Sequence, residues 1–133
     1  MAKETGLGWT SFELDDDGST ARDIKNDVNS FDFSTPYGVQ EVTGVDKYAI
    51  ERILLAADFT GKGSGTFNPA ANQSHAVLSG DLRVVRTLTL VISAQTLANE
   101  VLITEYGLTR ASGGEFTWQA PFQLADGTVP AWA

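Results

Sequence analysis

The run Gly61-Lys62-Gly63-Ser64-Gly65 is the first place where residue types and spacing could do chemistry, because glycines set around a lysine let backbone amides cradle a phosphate. A phosphate loop also requires a glycine five positions before Gly61. That position is Ala56, so the run reads as a flexible strand or loop. Asp15-Asp16-Asp17-Gly18-Ser19 offers carboxylates for calcium, yet the alternating ligands and the closing bidentate Glu are not at the required offsets, and a solvated acidic turn explains it. His75 is the sole histidine, which excludes a multi-histidine metal site and leaves any serine nucleophile a single candidate base. Glycoside hydrolysis would need two carboxylates held as partners; Glu41, Glu105 and Glu115 fall on candidate strands, but nothing pairs any two of them. Asn72-Gln73-Ser74 fits a glycosylation sequon, which without a secretion signal carries no weight. The residues therefore read as non-enzymatic, with no catalytic set, no cofactor and no metal expected.

The elements that would have to position such residues belong to one domain. With 133 residues, 42% of them hydrophobic, the chain can bury one core but not two, so a single domain over 1–133 is expected. No stretch approaches the roughly 20 apolar residues of a membrane helix. The opening Met1-Ala2-Lys3-Glu4-Thr5 lacks a basic start followed by an apolar run, so a soluble protein made in the cytoplasm, without a membrane anchor, is expected. Cysteine is absent, which removes disulfides and thiolate chemistry. A net charge of −8 argues against a protein that grips nucleic acid, since phosphate binding needs clustered Lys and Arg.

Thirteen glycines among short runs of Thr, Val, Phe and Leu punctuate the chain like an all-β protein. Turns are expected at Asp15–Gly18, Pro36–Gly38, Ser112–Gly114 and Asp126–Gly127. The clearest strand is 115–124, where Phe116, Trp118, Ala120, Phe122 and Leu124 share the parity of a core face. Residues 102–109 precede it and are expected to pair with it as a hairpin. Further strands are expected at 86–92, 8–14, 28–34, 39–43 and 62–67. The spacing of Ile50, Ile53, Leu54 and Ala57 predicts the one substantial helix over 46–57, with Thr43 or Asp46 as its cap and Lys47 and Glu51 on its exposed face. A further helical turn within 68–78 lacks a clean period.

Three passages, Asp23–Pro36, Val42–Phe59 and Glu115–Trp132, together resemble the major tail (tail tube) proteins of long-tailed bacteriophages, especially those with short one-domain subunits. The resemblance rests on the order of a strand and turn, a Thr43-Gly44-Val45-Asp46 opening, and an aromatic closing strand. The chain is expected to lack the immunoglobulin-like extra domain of some relatives, and Met1–Thr20 matches none of these passages, so residues 1–20 are expected as an extended arm.

The resemblance implies a mainly β fold, a β-sandwich or half-barrel with one flanking helix. It also implies hexameric rings that stack into a tail tube within the virion, assembled in the cytoplasm of a bacterial host. Tape-measure, terminator and tail-tip proteins would be partners, and double-stranded DNA would pass without specific binding. An acidic bore would repel that polyanion, which makes Asp32, Glu41, Glu105 and Glu115 the lumen candidates. The Ile50, Ile53 and Leu54 stripe would be buried on the sheet, leaving Lys47, Glu51 and Arg52, with the C-terminal Trp132, as interface candidates. The competing readings are a tail terminator, head–tail connector or capsid decoration protein of the same virion, and a stand-alone β-sandwich binding module that stacks a ligand on Trp9, Trp118 or Trp132.

Overall fold

Strand-forming alternation dominates the computed structural model, which describes residues 3–133; residues 1 and 2 of the expected arm lie outside them. The strands are β1 (Ser11–Asp15), β2 (Ala21–Asp23), β3 (Val28–Ser34), β4 (Tyr37–Glu41), β5 (Arg52–Ala57), β6 (Thr60–Thr66), β7 (Arg86–Ile92), β8 (Gln95–Ile103), β9 (Gly107–Arg110) and β10 (Phe116–Leu124). One short helix, α1 (Ser74–Leu78), and a 3-10 turn at Lys25–Asp27 complete the regular structure. Eight strands form an antiparallel sheet in the order β2-β1-β7-β8-β10-β6-β3, with β9 also beside β10. Strands β4 and β5 form a separate two-stranded hairpin.

Period-two alternation puts one face of every long strand into a common core. Trp118, Ala120 and Phe122 of β10 are buried with Leu88 and Leu90 of β7, Leu97, Val101 and Ile103 of β8, and Phe12 and Leu14 of β1. The sheet curls on itself, because rings from strands far apart in its order meet. Phe12 of β1 lies edge-on to Phe31 of β3 at 4.9 Å between centroids, and Phe31 meets Phe122 of β10 at 5.8 Å. The result is the expected half-barrel, filled by aromatic and aliphatic side chains.

The glycine run has a packing role. Gly61, Gly63 and Gly65 lie on the inner parity of β6, where Phe31 and Trp118 rest against the bare backbone. A Cβ on Gly65 would sit 1.7 Å from the Asp27 carbonyl oxygen, so no side chain fits there. Helix α1 closes one end of the barrel with Val77 and Leu78. Asp27, itself buried, accepts from the Ser74 backbone N–H at 3.0 Å and the Asn68 amide at 2.9 Å, satisfying a free donor at the helix start.

Three sequence expectations need correction. The predicted helix over 46–57 does not form: residues 46–51 are irregular and Arg52–Ala57 is β5, paired with β4 through Val39↔Leu54, Gln40↔Ile53 and Glu41↔Arg52. The apolar run Ile53-Leu54-Leu55 suits either period, and strand pairing with β4 decides it. Thr43 still satisfies backbone groups, but across the hairpin: its hydroxyl accepts from the Glu51 N–H at 2.9 Å. The helix that does form lies in the weakly periodic 68–78 stretch. The expected strand over 102–109 is broken at Thr104–Tyr106, so β10 pairs with β9 along Phe116–Gln119 and with β8 along Phe122–Leu124. Within the arm expected over 1–20, residues 11–15 are β1, whose Phe12 and Leu14 are core residues.

Candidate functional site

The hairpin of β4 and β5 buries almost nothing. Every residue of β4 is exposed, as is every residue of β5 except the half-buried Ala57. Val45 and Tyr48 in its loop are fully exposed, Ile50 is 57% exposed, and Leu54 is 66% exposed. This overturns the expected burial of the Ile50, Ile53 and Leu54 stripe. Large apolar side chains left exposed on one hairpin are the kind of surface that a contact with another macromolecule covers. The loop is nevertheless ordered locally: Val42 N–H donates to the Glu51 carbonyl at 2.9 Å, and Lys47 N–H to the Gly44 carbonyl at 3.1 Å.

Lateral sheet edges form the second feature. Strand β3 pairs with β6 alone, and β9 pairs with β10 alone, so each leaves one side without a strand partner among the described residues. Unpaired edges of this kind are templates for another chain. Strand β2 ends the sheet on the far side, paired with β1 alone, while other stretches are covered from within. The start of β8 is paired by the C-terminus, where the Thr96 and Ala133 backbones exchange 2.9 Å hydrogen bonds around a Leu97↔Trp132 bridge. The outer side of β1 is occupied by Ile24 N–H, which donates to the Phe12 carbonyl at 2.9 Å, and by Lys25 Nζ, which donates to the Thr10 carbonyl at 3.0 Å.

The lumen candidates do not share a face. Asp32 is exposed on β3, opposite Lys62 of β6 in register. Glu41 ends β4 opposite Arg52, out on the hairpin. Glu105 and Glu115 are not on strands at all: Glu105 lies in the link between β8 and β9, and Glu115 in the turn before β10. Among the interface candidates, Lys47 and Glu51 lie in the exposed loop of the hairpin and Arg52 starts β5, with Lys47 paired to Asp46 at 3.0 Å. Trp132 is half-exposed and leans on Phe33 at 6.1 Å between centroids. Helical spacing alone assigns Ile50, Ile53 and Leu54 to a buried face. Their real signal is an apolar run on both parities of a strand, which a buried single face cannot use.

The remaining polar groups serve the fold. His75 Nδ1 lies 3.1 Å from the Tyr106 hydroxyl, and burial raises the Tyr106 pKa. Arg86 is fully buried and donates to the carbonyls of Val77 and Asp81, binding α1 and the loop after it to the start of β7. Its desolvation lowers its pKa, an effect opposed by the neighbouring Asp17, Asp16, Asp81 and Asp15. In the acidic turn, the Thr20 N–H, with further help from Arg22 and the Gly18 N–H, depresses the Asp16 pKa against partial desolvation. No three His, Cys, Asp or Glu side chains among the described residues converge on a metal position.

No protein-family model and no curated protein matches the sequence. Solved structures do match along the whole chain. A chain from the tail of an empty gene transfer agent (GTA) particle, refined helically with C6 symmetry, superimposes with a TM-score of 0.73 at 18% identity, covering 98% of both chains. A chain from the virion of a native GTA particle gives a TM-score of 0.69 at 15% identity, covering 98% of this chain and 99% of that one. This chain therefore has, end to end, the fold of subunits found in the tail and virion of gene transfer agent particles.

Proposed function

We propose that this chain is the tail-tube subunit of a phage-like particle, a non-enzymatic virion protein whose copies close into six-membered rings and stack into a channel for DNA. The observation that carries the reading is the whole-length fold shared with a tail subunit arranged in C6 symmetry. Two features support it independently. The apolar hairpin finds no cover within its own subunit, and a neighbouring copy in the ring or in the next ring would bury it. Strands β9, β10, β6 and β3 make a four-stranded antiparallel segment with an open side at each end. An even strand count gives its two edges opposite directions, so rotation about an axis sets β9 of one copy against β3 of the next and continues the antiparallel alternation. Such head-to-tail pairing closes by symmetry and removes both edges.

Stacking of rings is a second contact, one that does not close and therefore propagates. The tube would form in the cytoplasm of a bacterial host, with tape-measure, terminator and tail-tip proteins fixing its length and ends, and would reside in the tail of the particle. Negative-stain microscopy of concentrated purified protein, with and without tail-initiation components, tests the proposal. Rings and tubes are expected. Single rings that never stack would point to a terminator or connector, and dispersed monomers under every condition would overturn the ring itself.

A further inference from the structure

If the β9-β10-β6-β3 segment continues around a ring, the position of the rest of the subunit decides which of its faces meets the bore. One face carries the core and, behind it, β1, β2, β7 and α1. A ring offers more room outside its barrel than inside, so this bulk lies outward and the bare face lines the lumen. That face is defined by register: Ser30, Asp32 and Ser34 of β3 lie beside Ser64, Lys62 and Thr60 of β6, which lie beside Gln119, Pro121 and Gln123 of β10.

The composition of this face is unlike that of the chain as a whole. Ser30 and Ser64 hydroxyls are 2.7 Å apart and Ser34 and Thr60 hydroxyls 3.1 Å apart, one pair on either side of Asp32 and Lys62. Further along, the Asn29 amide donates to the Thr66 hydroxyl at 3.3 Å. Across the four strands the parity facing away from the core carries one carboxylate, Asp32, and one ammonium, Lys62, so −1 and +1 cancel, whereas the chain carries −8. We infer that this hydroxyl and amide face lines the bore and passes double-stranded DNA by being electrically neutral, with one Asp32 carboxylate for each Lys62 ammonium opposite it in register. The inference rests on the ring reading above and replaces the acidic bore expected from the sequence.

Duplex DNA carries one negative charge about every 1.7 Å of its axis and is gripped wherever unpaired cations gather to displace its counterions. A ring of six bare Lys62 side chains would be such a grip. With Asp32 opposite each lysine, the wall neither binds the polyanion nor raises a repulsive barrier to its entry, and the hydroxyl ladder stays hydrated.

Two measurements on assembled particles test this. The chain has no cysteine, so Ser64→Cys gives a single labelling site. A polymer-linked maleimide should label it in dissociated subunits and lose that labelling in tubes, while a small maleimide reacts in both; Ser30→Cys serves if the first variant does not fold. Labelling of tubes by the bulky reagent would put the face outside and overturn the inference while leaving the tube intact. Failure of the unmodified protein to form tubes would instead remove the ring reading. For the charge balance, Asp32→Asn should slow DNA exit in a salt-sensitive way, and adding Lys62→Gln should restore the original rate. A double variant as slow as Asp32→Asn, or an Asp32→Asn variant with unchanged exit, would overturn the neutral-wall mechanism.

Discussion

Gly65 and Gly63 show how much depends on single positions in this barrel. Both lie on the inner parity of β6, yet a Cβ at Gly65 would meet a fixed backbone carbonyl at 1.7 Å, whereas at Gly63 its nearest neighbours are ring atoms of Phe31 and Trp118 at 3.3 and 3.4 Å. Gly65→Ala is therefore expected to cost about 3 kcal/mol, the upper end of ordinary overpacking. Gly63→Ala should change stability by less than about 1 kcal/mol, since rings can shift slightly and alanine loses less backbone entropy than glycine. Urea unfolding of both variants measures the difference, and equal losses would contradict the packing described. The same scale carries a pH prediction. The Thr20 N–H, the Arg22 side chain and the Gly18 N–H favour ionised Asp16, so its folded pKa lies below the ordinary aspartate value of 3.8. Its contribution is present above that value and is lost as pH falls through the depressed folded pKa. An NMR titration should place the Asp16 midpoint below 3.8, and Asp16→Asn should remove that part of the acid sensitivity. A midpoint at or above 3.8 would refute the turn geometry.

Among the elements, the β4–β5 hairpin diverges furthest from its sequence pattern. Residues 46–57 satisfy a helical period, and Thr43 has the chemistry of a cap, so local reasoning favours a helix. Helix burial needs an apolar surface to receive it, and the barrel's core is already closed by its own strands and α1. The stretch instead extends along β4 and carries its apolar side chains outward. Leu54→Asp should consequently leave the isolated subunit's stability within about 0.5 kcal/mol of the original, as for an exposed position. The same change should abolish ring or tube formation. Thermal unfolding and sedimentation together check this: loss of subunit stability would mean the hairpin packs within its own subunit, and undiminished assembly would free it from the interface. Where alternation was strict, as in β7 and β10, strand and core face were legible from sequence. The break at Thr104–Tyr106 was not, because a run of β-forming residues does not reveal where one strand stops serving β10 and the next begins.

The whole molecule is a curled sheet with open lateral edges, and its assembly behaviour follows from them. The Ala111 N–H bonds to the Glu115 carbonyl at 2.8 Å, so alternation along β9 turns the Leu108 N–H away from β10, toward the open side. Leu108→Pro removes that donor at an edge position where proline is tolerated. Folded monomers that no longer form rings are expected by circular dichroism and native mass spectrometry; normal rings would exclude β9 from the seam. The sequence by itself determined the β class, the inward parity of Trp118, Ala120 and Phe122, the absence of thiol chemistry and the acidic balance, because composition and short-range periodicity are local properties. Tertiary structure decided the rest. Which apolar run is buried, which edges stay open and which carboxylates share a surface depend on strands brought together from distant parts of the chain. Asp32 lies opposite Lys62 in register while Glu105 and Glu115 fall in connecting segments, since cross-strand register, not spacing along the chain, sets the chemistry of a sheet face.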